Sequence, residues 1–477
     1  MKILKKVLLG VGALLLVLVL ALVGIILFDQ SQTSYLDVDN NPAFVPNTYL
    51  IKHVNVVPMT ADTVLRDQTV LVREGVIAGI ADEITDAQAS VIDAKGGYLS
   101  PGLIDMHVHV WDRYELGLYL ANGVTTVRNL WGRPMHLRMK EEVNKEEIVG
   151  PMFFTSGPKL TGPEYSGDDN LQLFTPEEAG AKVAEYQERG YDFIKTYNGL
   201  TRELYDAILV KGKELDFDVV AHPSDKVPYS YHFRPEIVTI EHAEDIVQQP
   251  LDYQLDTAKL AEVVELYASH PNTALCPTLV VYHNIYRLLT DDNILNSGEL
   301  DYMNALIRQE DSQAQYDRWT GTKASDSTIV GSIRDQHNFH LYAIKKLHER
   351  QVPIVAGTDT GIGVTPAGYS MHEELDFYMQ AGMSNYEALQ TATINPSRTH
   401  DFLNSQGSIE TGKIANLILT EGNPLEDLNV LRNPEMVLVR GHQINRETLH
   451  AFAQKARNRS NLLASALRYA EYLVIEK

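Results

Sequence analysis

Two histidines, His107 and His109, stand one residue apart in the apolar segment LIDMHVHV, directly after the turn residues SPG. In a β-strand, residues two positions apart share a face and lie about 6.6 to 6.8 Å apart along the chain. Imidazole is a good ligand for zinc and similar ions. A lone histidine on an apolar strand is more often a hydrogen-bonded core residue. The pair alone therefore leaves both interpretations open.

Further polar residues stand at the ends of later apolar runs. These are Lys195 in FIKTY, His222 in DVVAHP, His242 in IVTIEHA and Asp359 in PIVAGTDT. If all six side chains were buried without a metal, several polar groups would stay unpaired, at about 1 to 3 kcal/mol each. Taken together, the six residues predict a metal site.

Eight short apolar runs alternate with helix-like segments over some 300 residues. They begin near residues 103, 125, 152, 193, 218, 237, 274 and 353. This alternation predicts an α/β fold, a (β/α)₈ TIM-type barrel over residues 103–404, with a helical insertion at about 283–350. In such barrels the chemistry lies at the C-terminal ends of the strands, where the six polar residues stand.

The segments on either side of the predicted barrel have a different hydrophobic pattern. Residues 48–102 and 405–446 contain short alternating runs separated by turn residues, which is typical of antiparallel strands. We expect them to pair into one small β-sandwich into which the barrel is inserted. Residues 29–47 are polar and predict a linker, and residues 447–477 are rich in helix formers and predict one C-terminal helix.

The N-terminal segment, residues 1–28, predicts a signal-anchor or transmembrane helix. MKILKK is followed by 22 uncharged residues, Val7 to Phe28. A helix of that length crosses a hydrocarbon core of about 30 Å. Lys2, Lys5 and Lys6 should remain in the cytoplasm, which places the catalytic body outside, in the periplasm or the extracellular space. Secretion after cleavage of a signal peptide is the alternative.

Composition excludes some classes of protein. The net charge of −22 over 477 residues argues against nucleic acid as a partner, since phosphate binding needs clustered Lys and Arg. The single cysteine, Cys276, rules out an intrachain disulfide framework and a cysteine metal cage. The sequence leaves the oligomeric state open.

Six motifs in order carry a resemblance to a known family. They are SPGLIDMHVH, GVTTVRN, DFIKTY, IEHAED, GTDTG and GKIANLILTEGNPLED. Together they resemble the amidohydrolase superfamily, and within it the group related to imidazolonepropionase and to prolidase-type dipeptidases. The likeness runs from about residue 48 to 446. It is specific for the superfamily and only weakly specific for a substrate.

The resemblance implies a site for two divalent metal ions, usually zinc. His107, His109 and Asp359 would hold one ion, and His222 and His242 the other. Lys195 matches the position of a lysine that is carboxylated by CO₂ and bridges the ions. The charge agrees with that role, because an ammonium would repel a metal whereas its carbamate is an anionic, bidentate bridge.

The implied activity is hydrolysis of a carbon–nitrogen bond in a small molecule, such as a dipeptide, an N-acyl amino acid or a cyclic amide. A hydroxide bridging two cations is nucleophilic near neutral pH. Asp359 would take its proton and pass it to the leaving nitrogen, as base and then acid. The alternatives are a lactonase-like or phosphotriesterase-like hydrolase on the same centre, and a catalytically silent, membrane-tethered binding protein.

The loop after the fifth predicted strand, AHPSDKVPYSYHFRPE, offers candidates for substrate contact. Tyr229, Tyr231 and Arg234 have hydrogen-bond donors that suit a substrate carboxylate. An ordinary polar loop is the alternative. Deamination is disfavoured, because deaminases of this fold generally use one metal and need no bridging lysine.

Overall fold

The N-terminal helix opens the chain in the computed structural model, which describes residues 2–39, 44, 47–167 and 170–477. Helix α1 (Lys2–Gln32) is long and apolar enough to cross a membrane by length and composition. It continues through the first four residues of the predicted linker. Asp29, Thr33 and Leu36 are already buried against the body. Residues 40–43 and 45–46 of that linker lie outside the described part.

Five strands precede the first histidine pair. They are β1 (Tyr49–Val56), β2 (Leu65–Arg73), β3 (Val76–Ala81), β4 (Ser90–Asp93) and β5 (Tyr98–Pro101). Strand β1 pairs antiparallel with β2 and parallel with β4 and β5. The alternation read from the sequence over residues 48–102 therefore forms strands as predicted.

Nine strands follow in the predicted barrel region. They are β6 (Leu103–Val108), β7 (Val124–Asn129), β8 (Met152–Thr155), β9 (Lys159–Thr161), β10 (Asn170–Gln172), β11 (Ile194–Thr196), β12 (Val219–Ala221), β13 (Ile237–Glu241) and β14 (Ala274–Cys276). All pair in parallel, in the orders β6-β7-β8 and β10-β9-β11-β12-β13-β14. The sequence did not predict β9 and β10.

Helices connect or follow these strands. They are α2 (Tyr114–Ala121), α3 (Pro134–Asn144), α4 (Pro176–Glu188), α5 (Arg202–Leu215), α6 (Ala243–Gln248), α7 (Thr257–Ala268), α8 (Leu279–Thr290), α9 (Ala305–Ile307), α10 (Gln313–Ser325), α11 (Ile329–Glu349), α12 (Tyr369–Gln380) and α13 (Asn385–Thr391). Parallel strands that alternate with helices give a barrel-type α/β fold. The predicted insertion is helical, as expected.

Single parallel bridges continue the ladder between the two groups of strands. Ser156 bridges Phe193, Leu275 bridges Ile354, and Val108 bridges Thr360. The eighth predicted strand, at 353–360, takes part only through such bridges, and closure of a complete eight-stranded barrel therefore stays a prediction. The strand predicted at 274–282 is shorter in the structure, since β14 ends at Cys276 and helix α8 begins at Leu279.

The C-terminal strands return to the first sheet. They are β15 (Leu417–Thr420), β16 (Met436–Val439) and β17 (His442–Asn445). Strand β15 pairs antiparallel with β5, and this gives the order β17-β16-β15-β5-β1-β2-β3 with β4 beside β1. The two distant segments thus share one sheet. The sandwich and the domain boundaries remain predictions.

The chain ends in two helices, where the sequence predicted one. Helix α14 (Arg446–Arg457) and helix α15 (Leu462–Glu476) are separated at residues 458–461. The break has a tertiary cause, because Arg459 and Asn461 both bind the buried carboxylate of Asp112. Asparagine and serine are also poor helix formers, which makes this position the easiest to break.

Candidate metal centre

The six predicted ligands come together in the structure. His107, His109, Lys195, His222, His242 and Asp359 all line one cavity of about 550 Å³. Five of them lie within or directly after β6, β11, β12 and β13. Asp359 lies in the bridged segment beside β6. The carboxyl ends of parallel strands meet at one edge, so a barrel-type fold gathers residues far apart in sequence.

The Asp359 carboxylate lies at the centre of the histidines. Its Oδ1 is 2.7 Å from Nε2 of His109 and 3.2 Å from Nε2 of His107. One ligand atom each of His107, His242 and Asp359 lie within 4.8 Å of one another, which is close enough to share an ion. The rings of His222 and His242 are 4.9 Å apart, which brings His222 to the same group.

Backbone contacts fix Asp359 beside His107. The backbone N–H groups of Thr358 and Asp359 both donate to the carbonyl of His107, at 3.2 and 2.7 Å. The buried carboxylate of Asp105 accepts from the Thr358 hydroxyl at 2.6 Å and from the His107 N–H at 3.2 Å. Asp105 was not among the predicted site residues, although a carboxylate inside the apolar run LIDMH was a signal.

Three non-glycine residues at the site have left-handed backbone conformations. Asp359 has a φ of 55°, His242 of 69° and Thr278 of 48°. Such conformations cost about 1 to 3 kcal/mol each and persist where the surroundings over-determine them. The Thr278 hydroxyl lies 2.8 Å from Nδ1 of His242, so the strained pair orients that ring.

A buried glutamate and arginine support the first histidine. Glu241 lies 2.6 Å from Nδ1 of His107 and 2.8 Å from a guanidinium nitrogen of Arg128. Arg128 also donates to the Met106 carbonyl at 2.7 Å. Partners of this kind set the tautomer and the orientation of metal-binding histidines. Neither residue was predicted from the sequence, although each is a charged residue within a buried strand.

Burial sets the protonation of the site. It lowers the pKa of His109, and it lowers the pKa of His222 and His242 well below the ordinary histidine value. Burial alone would raise the pKa of Asp359, but the neighbouring His107 and His109 outweigh it and hold that pKa well below its usual range. Neutral imidazoles and an ionised carboxylate are the forms that bind metal.

Lys195 lies in the same buried setting. Its side chain is almost wholly buried, and within the described residues its Nζ has no hydrogen-bond partner. Burial lowers its pKa to about 8, against the opposing charges of Glu241 and Asp359. A lysine in this state has an appreciable neutral fraction near pH 7, and a neutral amine is the form that reacts with CO₂.

Comparison with known proteins supports the resemblance over part of the chain. Residues 304–444 match the model of the amidohydrolase family. A dihydroorotase from Carboxydothermus hydrogenoformans is 49% identical over 63 residues, which cover 13% of this chain and 14% of that relative. The resemblance to the amidohydrolase superfamily is confirmed. Because the aligned part spans so little of the curated relative, its activity does not transfer directly.

Solved structures resemble the fold of this chain over most of its length. The bottromycin amidohydrolase superposes with a TM-score of 0.72 and 22% identity, covering 88% of this chain and 92% of that one. A Xaa-Pro dipeptidase with methionine bound in its active site gives a TM-score of 0.63 and 20% identity, covering 83% and 100%. At such identities these likenesses show the fold.

Two helices of the predicted insertion form one wall of the cavity that the six predicted ligands line. Gln315, Arg318, Trp319, Ile333 and Gln336 come from α10 and α11. The remaining wall includes aromatic side chains and two residues that can be charged, namely Trp131, Lys159, Tyr197, Glu244 and Tyr282. The cavity is therefore aromatic on several sides, with charged groups of both signs in the wall around the predicted ligands.

The three predicted substrate contacts are not among the residues that line this cavity. The Tyr229 hydroxyl lies 2.9 Å from that of Tyr267, in the protein interior. Tyr231 donates to Asp206, and the Arg234 guanidinium lies 5.5 Å from the centre of the Tyr231 ring. The loop after β12 contains the short helix Tyr229–His232, in which all residues except Ser230 are buried. Its direction cannot be read from its polar composition.

Proposed function

We propose that this chain is a metal-dependent hydrolase of carbon–nitrogen bonds, in which Asp359 moves the proton. The observation that carries the proposal is the convergence of six ligand-type side chains, distant in sequence, on one cavity. The match to the amidohydrolase family supports the reaction class. Amide hydrolysis needs an activated water and a proton for the leaving nitrogen, and the cavity offers groups for both.

The residues present suit two divalent cations, with zinc the expected metal because the donors are imidazole nitrogens and a carboxylate. His107, His109 and Asp359 would hold one cation, and His222 and His242 the other. Lys195 would bridge them as a carbamate. When bound, the metals supply Lewis acidity and a lowered pKa for water. Within the described residues, His222 Nδ1 and Lys195 Nζ are buried without hydrogen-bond partners, as unfilled ligands would be.

The chain's own residues would supply the proton transfer. Asp359 is ionised because the histidines beside it hold its pKa well below the usual range, so it can accept a proton from a water in the cavity. The same carboxyl then protonates the leaving nitrogen. Its backbone bonds to His107 keep it in place during both transfers. Positioned acid–base groups of this kind contribute about 10² to 10⁴ in rate.

The cavity favours a substrate that carries an anionic group beside its amide. Lys159 and Arg318 bring ammonium and guanidinium groups to the cavity wall. The Arg318 guanidinium lies 5.1 Å from the centre of the Trp319 ring and is otherwise exposed to solvent. Arginine forms two parallel hydrogen bonds with a carboxylate. Dipeptides and N-acyl amino acids have such a carboxylate.

We also infer that α1 stays attached as a membrane anchor, with the catalytic body outside the cytoplasm. The Asp29 carboxylate pairs with Arg468 at 2.6 Å, and both side chains are largely buried. Asp37 forms a bridge with Ile148 in the body. These contacts give the end of α1 a structural place in the fold. The lysines that precede the apolar stretch favour a cytoplasmic N-terminus.

The test uses the full chain in detergent, because the end of α1 packs on the body. Metal analysis is expected to give two zinc ions per chain, and a screen of dipeptides and N-acyl amino acids should reveal turnover. Asp359→Asn should abolish most of the rate while the chain still folds and retains metal. Wild-type turnover in that variant would refute its role.

The same screen separates the alternatives. Hydrolysis of lactones or phosphotriesters without any amide turnover would overturn the proposed amide hydrolysis and support a lactonase-like or phosphotriesterase-like activity instead. A carefully prepared chain without metal or turnover would favour a silent binding protein.

A further inference from the structure

The last helix, α15, presents an apolar face to the outside. Leu463, Ala466, Ala470, Leu473 and Val474 follow the helical repeat and are all exposed; we call them the α15 stripe. Val474 is 84% exposed and Leu463 is 64% exposed. The face of α15 that these five residues form carries no charged residue other than Lys477.

The charged side chains of α15 point elsewhere and are paired. Arg468 binds Asp29, Glu471 binds Arg138, and Glu476 binds Arg189. A surface helix of a globular protein normally turns its charges to water and its apolar side to the core. Here the charges face the body and the open face is apolar. An exposed apolar surface of this kind marks a contact surface.

Helix α1 runs directly beside α15. Leu22, Ile26 and Leu27 of α1 line a cleft of about 430 Å³ together with Leu467 and Glu471 of α15. The open face of α15 continues from Leu467, on the side next to this cleft. The apolar surface of α1 and the α15 stripe are therefore neighbours.

The length of α1 places this contact relative to a bilayer. The uncharged stretch Val7 to Phe28 rises about 33 Å, which only just spans a hydrocarbon core of about 30 Å. Leu22 to Phe28 must then be the last turns of the span. Because these last turns of α1 lie beside α15, helix α15 lies at the level of the bilayer boundary.

We propose that α15 is an interfacial helix whose stripe dips into the outer surface of the membrane that α1 spans. The proposal rests on the inferred anchor and goes beyond the hydrolase function. Helices that lie in a membrane interface bury an apolar face at the boundary between headgroups and acyl chains. The chain would then contact the bilayer at two elements, which fixes the orientation of the body.

Aromatic side chains connect α15 to the candidate metal centre. On the inner side of α15 the Tyr472 ring lies 5.7 Å from Trp131, measured between ring centres. Trp131 lines the metal cavity, and its ring lies 6.3 Å from that of His109. The membrane-seated helix therefore also supports the wall of the active cavity, which places the cavity close to the membrane surface.

The test measures depth in a membrane. Val474→Cys is labelled with an environment-sensitive fluorophore in the full chain, in vesicles of phosphatidylcholine and phosphatidylglycerol that contain nitroxide-labelled acyl chains. The native Cys276 is fully buried and should not label in the folded chain. Leu463→Cys provides a second position on the stripe. Val91→Cys, an exposed valine on β4, is the matched control, and Leu16→Cys reports on the middle of α1.

We expect severalfold stronger quenching at Val474→Cys and Leu463→Cys than at Val91→Cys. If both stripe positions behave like Val91→Cys while Leu16→Cys is quenched, the anchor stands and the interfacial helix is wrong. If Leu16→Cys is not quenched, the anchor itself fails and the proposal with it. A third outcome is that the fluorophores on the stripe quench one another and are not quenched by the nitroxide-labelled lipid. That result would show a second copy of the chain on this face, which also overturns the proposal.

Discussion

The Glu241 carboxylate lies 2.6 Å from Nδ1 of His107, and both side chains are almost wholly buried. Nδ1 can donate to this carboxylate, which leaves Nε2, 3.2 Å from Asp359, as the nitrogen that faces the predicted site. Burial alone would raise the pKa of Glu241, but Arg128 and His107 outweigh it and hold that pKa well below normal. The carboxylate is therefore ionised near neutral pH and orients the ring.

Replacing that carboxylate should weaken metal binding. Glu241→Gln removes the charge that orients His107, and the loss of such a partner typically costs 10- to 100-fold in metal affinity. Competition with a chromophoric chelator measures the affinity. Circular dichroism verifies that the chain remains folded, because the variant also leaves Arg128 without its ion pair.

Glu374→Gln is the control for that experiment. Glu374 is another buried glutamate, and it accepts from the backbone N–H groups of Leu279 and Val280 at 3.0 and 2.8 Å. It has no contact with a predicted ligand, so its replacement should lower stability and leave metal affinity unchanged. Equal losses of affinity in both variants would show that Glu241 acts through general stability.

The convergence of the predicted ligands on one cavity could be expected from the sequence because their signal is local. A strand repeats every two residues, and strand ends meet at one edge of a barrel-type fold, so residue type and position sufficed for His107, Lys195 and Asp359. Glu241 and Arg128 were missed because their role depends on a contact between side chains 113 residues apart. Nothing in either local segment specifies that contact.

Other errors also have a physical cause. The run ALCPTLVVY was read as one strand, but a short apolar run fits a strand and a buried helix equally well. The sequence predicted one C-terminal helix where the structure has two. The helix is interrupted where Arg459 and Asn461 bind Asp112, and the local helical repeat does not reveal this long-range contact. Substrate contact by Tyr229, Tyr231 and Arg234 stays a prediction; these residues do not line the cavity of the predicted ligands, because a loop's direction depends on packing.

Asp112 should prove essential for attaching the C-terminal helices. It is fully buried and accepts from Asn304 at 2.6 Å and from Asn461 at 2.9 Å, and it pairs with Arg459 at 3.1 Å. Asp112→Asn removes the nearest ionic partner of that buried arginine and leaves it only Glu115 at 3.6 Å, and breaking such a buried pair costs about 3 to 5 kcal/mol of unfolding free energy. Urea unfolding of the full chain in detergent measures the loss.

The matched control is Asp301→Asn. Asp301 pairs with Arg457 at 3.1 Å on the surface, where both side chains are well exposed. Exposed pairs contribute about 0 to 1 kcal/mol. A similar loss in both variants would argue against a special role for the buried pair.

Arg318 should affect substrate binding more than turnover. If its guanidinium binds the substrate carboxylate, Arg318→Gln should raise KM about 10- to 100-fold, since hydrogen bonds between charged groups contribute about 1.5 to 3 kcal/mol. The value of kcat should change little. The control is a substrate whose carboxylate is replaced by an amide, for which the variant and the wild type should have similar KM. A loss in kcat alone would contradict this role.

His232 should make the stability of the chain depend on pH. Its Nε2 accepts from the Ser224 N–H and its Nδ1 donates to the Tyr229 carbonyl, both at 3.0 Å, so the ring is held neutral. Burial lowers its pKa to about 4, although the Tyr229 carbonyl opposes the shift. In the unfolded chain the pKa returns to about 6.5.

The unfolded chain therefore binds more protons than the folded chain between these two pKa values. The stabilisation by neutral His232 is complete above pH 6.5 and is lost as the pH falls toward 4, by about 3 kcal/mol in all. The check compares the unfolding free energy of wild type and His232→Gln from pH 7 to 4, with chelator present so that metal loss does not contribute. The gap between the two proteins should narrow steadily as the pH falls. A constant gap would mean that His232 is already charged in the folded protein or equally buried in the unfolded chain, and would refute the assignment.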